Sequence, residues 1–236
     1  ASAAIRDTVQ PYLTSLPILG MKNIAKGMKL GLTPGGYDAA QKAGALLHGS
    51  NVTELYGDMF SEIPVGGHSL VDKGVQAAGK LLSPSRWGHN VGRLFVYHGT
   101  LDAADTAITQ LRSGKITPDK FLNDTGLWFL SKPERSAYLT KAMDNSNERG
   151  ELSKRIALDM VDRTLWAYRR GQQPGMLRTG AGRICGQYGM WPLNFGEYIR
   201  TIGARALEGG SIGKRAIQAG AMWLGVNLAT YEAFDK

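Results

Sequence analysis

The sequence has few of the residues that staple or target a small secreted protein. A single cysteine, Cys185, in 236 residues excludes a disulfide framework within the chain. Residues Ala1 to Gln10 include Arg6 and Asp7 and contain no long apolar run, so they do not resemble a signal peptide. The chain begins with alanine rather than methionine, and we expect either processing or a fragment of a longer chain.

Metal-ligand spacing is also missing from the sequence. Four histidines are present, His48, His68, His89 and His98, and neither they nor Cys185 show the spacing of a metal site. We expect a buried thiol at Cys185 and a core imidazole at His98. The sequence therefore predicts a protein that is not an enzyme and that uses no cofactor.

Helical periodicity is the dominant pattern that remains. Between Arg86 and Ser113, apolar residues recur at intervals of three and four, namely Trp87, Val91, Leu94, His98, Leu101, Ala104, Ile108 and Leu111. Arg149 to Arg170 is a second amphipathic helix. No alternating strand or hairpin signal occurs. The patterns predict an all-α, irregular bundle of about eight to ten helices with little or no β-sheet.

The predicted bundle divides into an N-terminal region of short helices, residues 1–84, and a main helical region, residues 85–236, although one continuous domain fits equally well. Prolines, glycines and hydroxyl side chains predict the helix ends. We expect Pro17 to separate two helices, Thr33 and Thr117 to precede helices that start with proline, Gly114 to end a helix, and Ser211 to cap the last one.

Glycine is abundant, with 31 residues, and many glycines fall inside predicted helices. Each costs a helix interior roughly 1 kcal/mol relative to alanine. We therefore expect close approach of helix backbones. Gly182 and Gly186 have the spacing that such packing uses.

Positive charge is concentrated in one stretch. The chain carries a net charge of +8, and residues 163–205 contain seven arginines, no lysine and one acid, Glu197. The arginines are Arg163, Arg169, Arg170, Arg178, Arg183, Arg200 and Arg205. Arginine forks bind carboxylates and phosphates well. Two interpretations stay open, internal salt bridges or contact with the anions of DNA or a membrane.

The last predicted helix contains sixteen residues without a charge, Ala216 to Tyr231. A spanning helix needs about 20 apolar residues, and this one includes Gln218 and Asn227. The pattern favours a buried core helix. An interfacial role stays open because Trp223 and Tyr231 are residue types found at membrane surfaces.

One enzyme family shares a short motif with the chain. Tyr97-His98-Gly99-Thr100 resembles the His-Gly-Thr motif of ADP-ribosyltransferases, and Gly126 to Phe129 and Ala137-Tyr138 resemble later segments of that family. The resemblance implies that His98 contacts a nicotinamide ribose and that Tyr138 stacks on the ligand. In that family the motif ends a strand, whereas the helical pattern here passes through His98.

A broader resemblance covers most of the chain and is sharpest from Tyr168 to Asn194. The segment Trp166 to Gly171 is followed by Pro174, Leu177-Arg178, Gly182-Arg183, Gln187-Tyr188 and Trp191-Pro192-Leu-Asn194. This order resembles the helical C-terminal regions of large polyvalent and internal virion proteins of short-tailed phages. The residues that carry the motif or pack its helices are Tyr168, Pro174, Gly182, Gly186, Gln187, Trp191 and Pro192.

This second resemblance implies a structural role inside a virion. Such a protein is released with the genome and helps DNA cross the host cell envelope. Its implied partners are other internal virion proteins, the portal region, phage DNA and the host inner membrane, and a homo-oligomer or ring is expected. Its implied places are the virion interior and then the host envelope. The alternatives are a helical module that binds DNA or membrane and, second, a transferase-like enzyme.

Overall fold

The computed structural model describes residues 14–46, 83–165 and 195–234. These segments contain nine α-helices, one 3-10 turn and no strand, which confirms the predicted all-α fold for this part of the chain. The helices are α1 (14–19), α2 (Met21–Gly31), α3 (Gly36–Lys42), α4 (Ser83–Arg112), α5 (Pro118–Thr125), α6 (Lys132–Met143), α7 (Arg149–Thr164), α8 (195–207) and α9 (Gly210–Phe234). The 3-10 turn is Leu127–Phe129.

Helix α4 is the centre of the molecule, because α2, α3, α5, α6 and α7 all pack against it. The predicted apolar stripe is present, with Leu94, Ala104 and Ile108 buried. The helix is also buried on its other sides between residues 92 and 100. A helix surrounded by others loses its polar face, which explains why Arg93 is buried and must be satisfied by Ala45 O and Asp162 Oδ1.

Backbone contact joins α2 to α4. A Cβ atom added at Gly27 would lie 1.9 Å from Phe95 O, and one added at Gly99 would lie 2.2 Å from Asn23 O. Only glycine fits at either position, so the expected close approach of helix backbones is confirmed at this crossing. The N-terminal helices thus share one core with α4.

Helix α1 is buried along its whole described length, and its last carbonyls obtain donors from distant segments. Trp128 Nε1 donates to Ile18 O at 3.1 Å, and Arg215 Nη2 donates to the same oxygen at 3.3 Å. Asn23 Nδ2 donates to Leu19 O at 3.0 Å. The final carbonyls of a helix have no partner within it. Side chains from α2, α9 and the 3-10 turn therefore donate the hydrogen bonds that water cannot supply to these buried carbonyls.

Several predicted helix ends are confirmed. Thr117 caps α5 by accepting from Lys120 N at 3.3 Å, and Pro118 is the first helical residue. Gly114 follows α4 with a φ of 69°. These ends depend on residues within one turn of each other, so sequence alone specifies them.

Three other predicted ends are wrong. Pro17 lies inside α1, and the break comes at Gly20, whose φ of 80° suits glycine. Thr33 does not cap α3, because the helix begins at Gly36 after Gly35, and the Thr33 hydroxyl donates back to Leu30 O at 2.6 Å. Ser211 lies inside α9 and donates to Asp119 Oδ2 at 2.6 Å. In the last two cases a glycine with positive φ, Gly35 or Gly209, takes the position where the cap was expected.

Helices α8 and α9 form an antiparallel hairpin at Gly209-Gly210. Ile202 packs on Gly220, and the rings of Phe195 and Trp223 lie 5.3 Å apart. The inner side of the hairpin rests on the rest of the core through Tyr198, which is buried and donates to Thr14 O at 3.1 Å. The hairpin thus has one side against the core and an opposite side facing outward.

Candidate functional site

The structure brings together three of the seven predicted anion-binding arginines. Arg163, at the end of α7, and Arg200 and Arg205, on α8, line one cleft of about 260 Å³. Its other walls come from the start of α6 and from the 3-10 turn, including Ser131, Glu134, Phe129 and Leu130. The sequence does not show that these arginines share a cleft, because Arg163 and Arg200 are far apart in the chain.

Each of these arginines has an acidic partner within the protein. Arg163 Nη2 lies 2.5 Å from Glu134 Oε1, and its Nε lies 3.3 Å from Asp159 Oδ1. Arg200 pairs with Glu197 three residues earlier at 2.5 Å. Arg205 pairs with Glu208. For these three side chains, internal salt bridging is what the geometry supports.

The acids of the cleft are held in their charged form. Burial alone would raise the pKa of Glu134, but hydrogen bonds from Ser131 and the neighbouring Arg163 outweigh it and lower the pKa. Ser131 contributes a 2.9 Å bond from its backbone nitrogen, which also fixes the first turn of α6. The pKa of Glu208 is likewise lowered, because hydrogen bonds from Arg135 and Arg205 outweigh its burial.

Arg135 is a further member of this network that sequence reasoning missed. Its guanidinium is buried, donates to Trp128 O at 3.1 Å and pairs with Glu208. Glu208 therefore links α6 to the end of the hairpin through two arginines. Arg135 lies outside the arginine-rich stretch. The only sequence signal for it is its position in a helix that carries both basic and acidic residues. The network fastens the hairpin to the core.

The remaining predicted positions of this region lie outside the described residues. They are Arg169, Arg170, Arg178 and Arg183 among the arginines, and Tyr168, Pro174, Gly182, Gly186, Gln187, Trp191 and Pro192 among the motif residues. Cys185 lies there as well.

The structure places the transferase-like residues in a helical setting. His98 lies in the middle of α4 and not at a strand end, and its Nε2 is 2.8 Å from Gly36 O. Its core location agrees with the helical pattern. Tyr138 is on α6, where its hydroxyl lies 3.3 Å from Asp159 Oδ2. Burial and Asp159 raise the pKa of Tyr138 to about 12. At this motif the chain forms α4, where the transferase motif requires the end of a strand.

Helix α9 is only half a core helix, so the expectation of full burial is wrong. Gly213, Ala216 and Ala219 are buried, whereas Ile217, Leu224 and Leu228 are exposed. Trp223 is half-buried against Phe195, and the side chain of Tyr231 lies outside the described set. An uncharged sequence does not show which sides are covered, since that depends on what packs against them. Within the described segments, no helix is long and apolar enough to cross a membrane.

Helix α2 also exposes an apolar row. Met21, Ala25, Met28 and Leu32 follow one another at intervals of four, three and four residues and are all exposed. Lys22 and Lys29 are exposed beside them, and Lys26 pairs with Asp102 at 2.5 Å. The opposite side of the helix packs on α4. This face therefore combines apolar and basic side chains.

A wider and shallower depression of about 670 Å³ lies between the end of α4 and the start of α7. Its two arginines are bound to the protein. Arg112 donates to Ala142 O at 2.9 Å and to Asp144 O at 2.7 Å, and Arg149 pairs with Asp105 at 2.7 Å. These contacts hold the α6–α7 connection in place.

Comparison of the chain with protein-family models, with curated proteins and with solved structures gives no significant match.

Proposed function

We propose that this chain is a structural protein of a phage particle, held inside the virion and released with the genome to help DNA cross the host envelope. The phage setting rests on the resemblance around Tyr168 to Asn194. The assembly role is supported by the distribution of apolar surface. Both α2 and α9 expose apolar rows at helical spacing, and rows of this kind mark surfaces that contact partners.

The use of the charged residues supports the same proposal. Arg93, Arg112, Arg135 and Arg163 each bind carbonyls or carboxylates from another segment of the chain. They hold helices together, as expected for a protein whose role is mechanical. Other virion proteins, the portal region and DNA are the proposed partners.

Peptide mass spectrometry of purified phage particles tests this proposal, applied to intact particles and to particles after triggered DNA release. Peptides of this chain should be present in full particles and depleted from emptied ones, while capsid peptides stay constant. Absence from full particles, or equal amounts before and after release, would overturn it.

A second candidate function is a helical module that binds an anionic surface. The specific observation is the face of α2, where exposed Lys22 and Lys29 flank Met21, Met28 and Leu32. Lysines attract anionic headgroups, and the apolar row suits the boundary between headgroups and acyl chains. DNA phosphates, in contrast, would bind the lysines and make no use of an apolar contact with the methionines.

Sedimentation with anionic vesicles, and in parallel titration with duplex DNA, distinguishes these surfaces. Binding to vesicles should weaken with salt and with Lys22→Gln/Lys29→Gln, and also with Met28→Gln. Binding to DNA that is insensitive to Met28→Gln would assign the face to DNA. Unchanged vesicle and DNA binding in the lysine variant would exclude this role for α2.

A further inference from the structure

The outward side of the α8–α9 hairpin carries two exposed apolar rows, together named here the outer hairpin face. It consists of Ile199, Gly203 and Leu207 on α8 and Ile217, Ala221, Leu224 and Leu228 on α9, all exposed. Leu207 is 90% exposed, and Leu224 is 53% exposed. Water contact with this many large apolar side chains on neighbouring helices is unfavourable.

The two halves of this face lie on the same side of the hairpin. On α8, Tyr198 faces the core and Ile202 faces α9. The exposed residues of α8 lie beyond Ile202, on the side away from Tyr198. In α9, Gly220 faces α8 while Ala219 faces the core. The exposed residues of both helices therefore lie across from the core, side by side.

The α9 half has the spacing of a coiled-coil seam. Ile217, Ala221, Leu224 and Leu228 follow one another by four, three and four residues, which is the a and d pattern of a heptad repeat. We infer that the outer hairpin face binds the same face of a second copy of this chain, so that two hairpins form a four-helix bundle. This inference concerns self-association and does not depend on the proposed function.

Charge favours a second copy over a lipid surface. Beside the α8 half of the face, Arg200 is paired with Glu197, and beside the α9 half Lys214 is the one exposed basic residue among the described residues. A lipid-binding face would carry a row of basic residues at its rim.

A two-fold axis through the middle of the α9 seam gives an antiparallel pair. Ile217 of one copy then lies opposite Leu228 of the other, and Ala221 opposite Leu224, so that a small residue meets a large one. A parallel pair would instead place each residue opposite its own copy, so that Ala221 would meet Ala221.

Sedimentation velocity of the full chain, from low micromolar to near-millimolar concentration, tests the inference. We expect a species of twice the 25.5 kDa chain mass. Leu224→Glu should weaken its formation by about tenfold or more, because a buried charge would enter the seam. Met28→Glu is the matched control, since Met28 is 48% exposed on α2, and should leave the dimer unchanged.

A monomeric wild type at all concentrations would overturn the inference, and so would a Leu224→Glu variant that dimerises normally. Vesicle binding by a monomeric wild type, lost in Leu224→Glu, would assign the face to lipid instead. Loss of the dimer in Met28→Glu would place the interface elsewhere.

Cysteine cross-linking tests the orientation in a Cys185→Ser background. An equimolar mixture of Ala221→Cys and Leu224→Cys proteins should oxidise to a disulfide dimer faster than either protein alone. Faster self-linking of Ala221→Cys would overturn the antiparallel arrangement.

Discussion

The α2–α4 crossing and the α8–α9 hairpin are held in opposite ways. At the crossing, two backbones touch at Gly27 and Gly99, and no side chain stands between them. The hairpin is fastened to the core by long polar side chains, chiefly Arg135 with Glu208 and Tyr198 with Thr14. Backbone contact admits no adjustment, whereas an ion pair between flexible side chains can break and re-form.

This difference assigns different tasks to the two regions. The crossing fixes the geometry of the core and leaves no room for any residue but glycine. The hairpin combines an adjustable attachment with an uncovered apolar face, which suits a part that meets a partner. Substitutions in each region can separate the two tasks.

Gly27→Ala should have the largest effect. Its methyl group would lie 1.9 Å from Phe95 O, so α2 and α4 must move apart, at a cost of about 3 kcal/mol. Urea unfolding measures this loss. Gly225→Ala on α9 is the control, because its methyl group meets nothing within 4 Å, and it should gain up to about 1 kcal/mol. Equal effects at the two sites would refute the contrast.

Arg135→Met should come next, with a loss of about 2 kcal/mol, below the value for a fully buried pair because Glu208 is partly exposed and keeps Arg205. Hydrogen exchange should show faster exchange in α8 and α9 and little change in α2 and α4. Lys132→Met, an exposed site on the same helix, should change neither region. Uniform acceleration throughout the chain would show that the hairpin does not open separately.

Acidification should destabilise the hairpin attachment by a smaller amount. The folded pKa of Glu208 lies below its ordinary value of 4.5, so its contribution is present above pH 4.5 and is lost as pH falls through the lower folded pKa. Urea midpoints measured downward from pH 4.5 should therefore fall less steeply in Glu208→Gln than in wild type. Parallel curves for the two proteins would exclude Glu208 as a source of the pH dependence.

Arg200→Ala should have the smallest effect. Its pair with Glu197 is at the surface, within one helix, and such pairs contribute little to stability. The urea midpoint should match that of wild type within error. A clear loss would mean that Arg200 makes a contact across the cleft.

The fold could be predicted where short-range chemistry decides. The pattern of α4, its end at Gly114 and the Thr117-Pro118 start of α5 all depend on neighbouring residues, and they were predicted correctly. Thr33 and Ser211 failed because a glycine with positive φ takes the position before each helix, and each hydroxyl donates to an acceptor elsewhere. Sequence shows that a side chain can bond but not which partner it will reach.

The candidate site was less accessible for the same reason. The arginine stretch was visible, and the i,i+4 spacing of Asp159 and Arg163 within α7 was too, but the pairing of Arg163 with Glu134 depends on how α6 and α7 pack. The exposed row of α9 could not be separated from its buried row by composition, since both are uncharged. The heptad spacing of Ile217 to Leu228 was the one available signal.

The distant hydrogen-bond partners of α1 also determine when this helix can be completed during synthesis on the ribosome. Thr14 bonds to residue 164, 150 positions later, and Ile18 accepts from Arg215, 197 positions later. The first helix therefore cannot reach its final state until synthesis has passed Arg215. Until then, Ile18 O has only one of its two side-chain donors, and α1, which is made before the other described helices, is among the last of them to be locked into place.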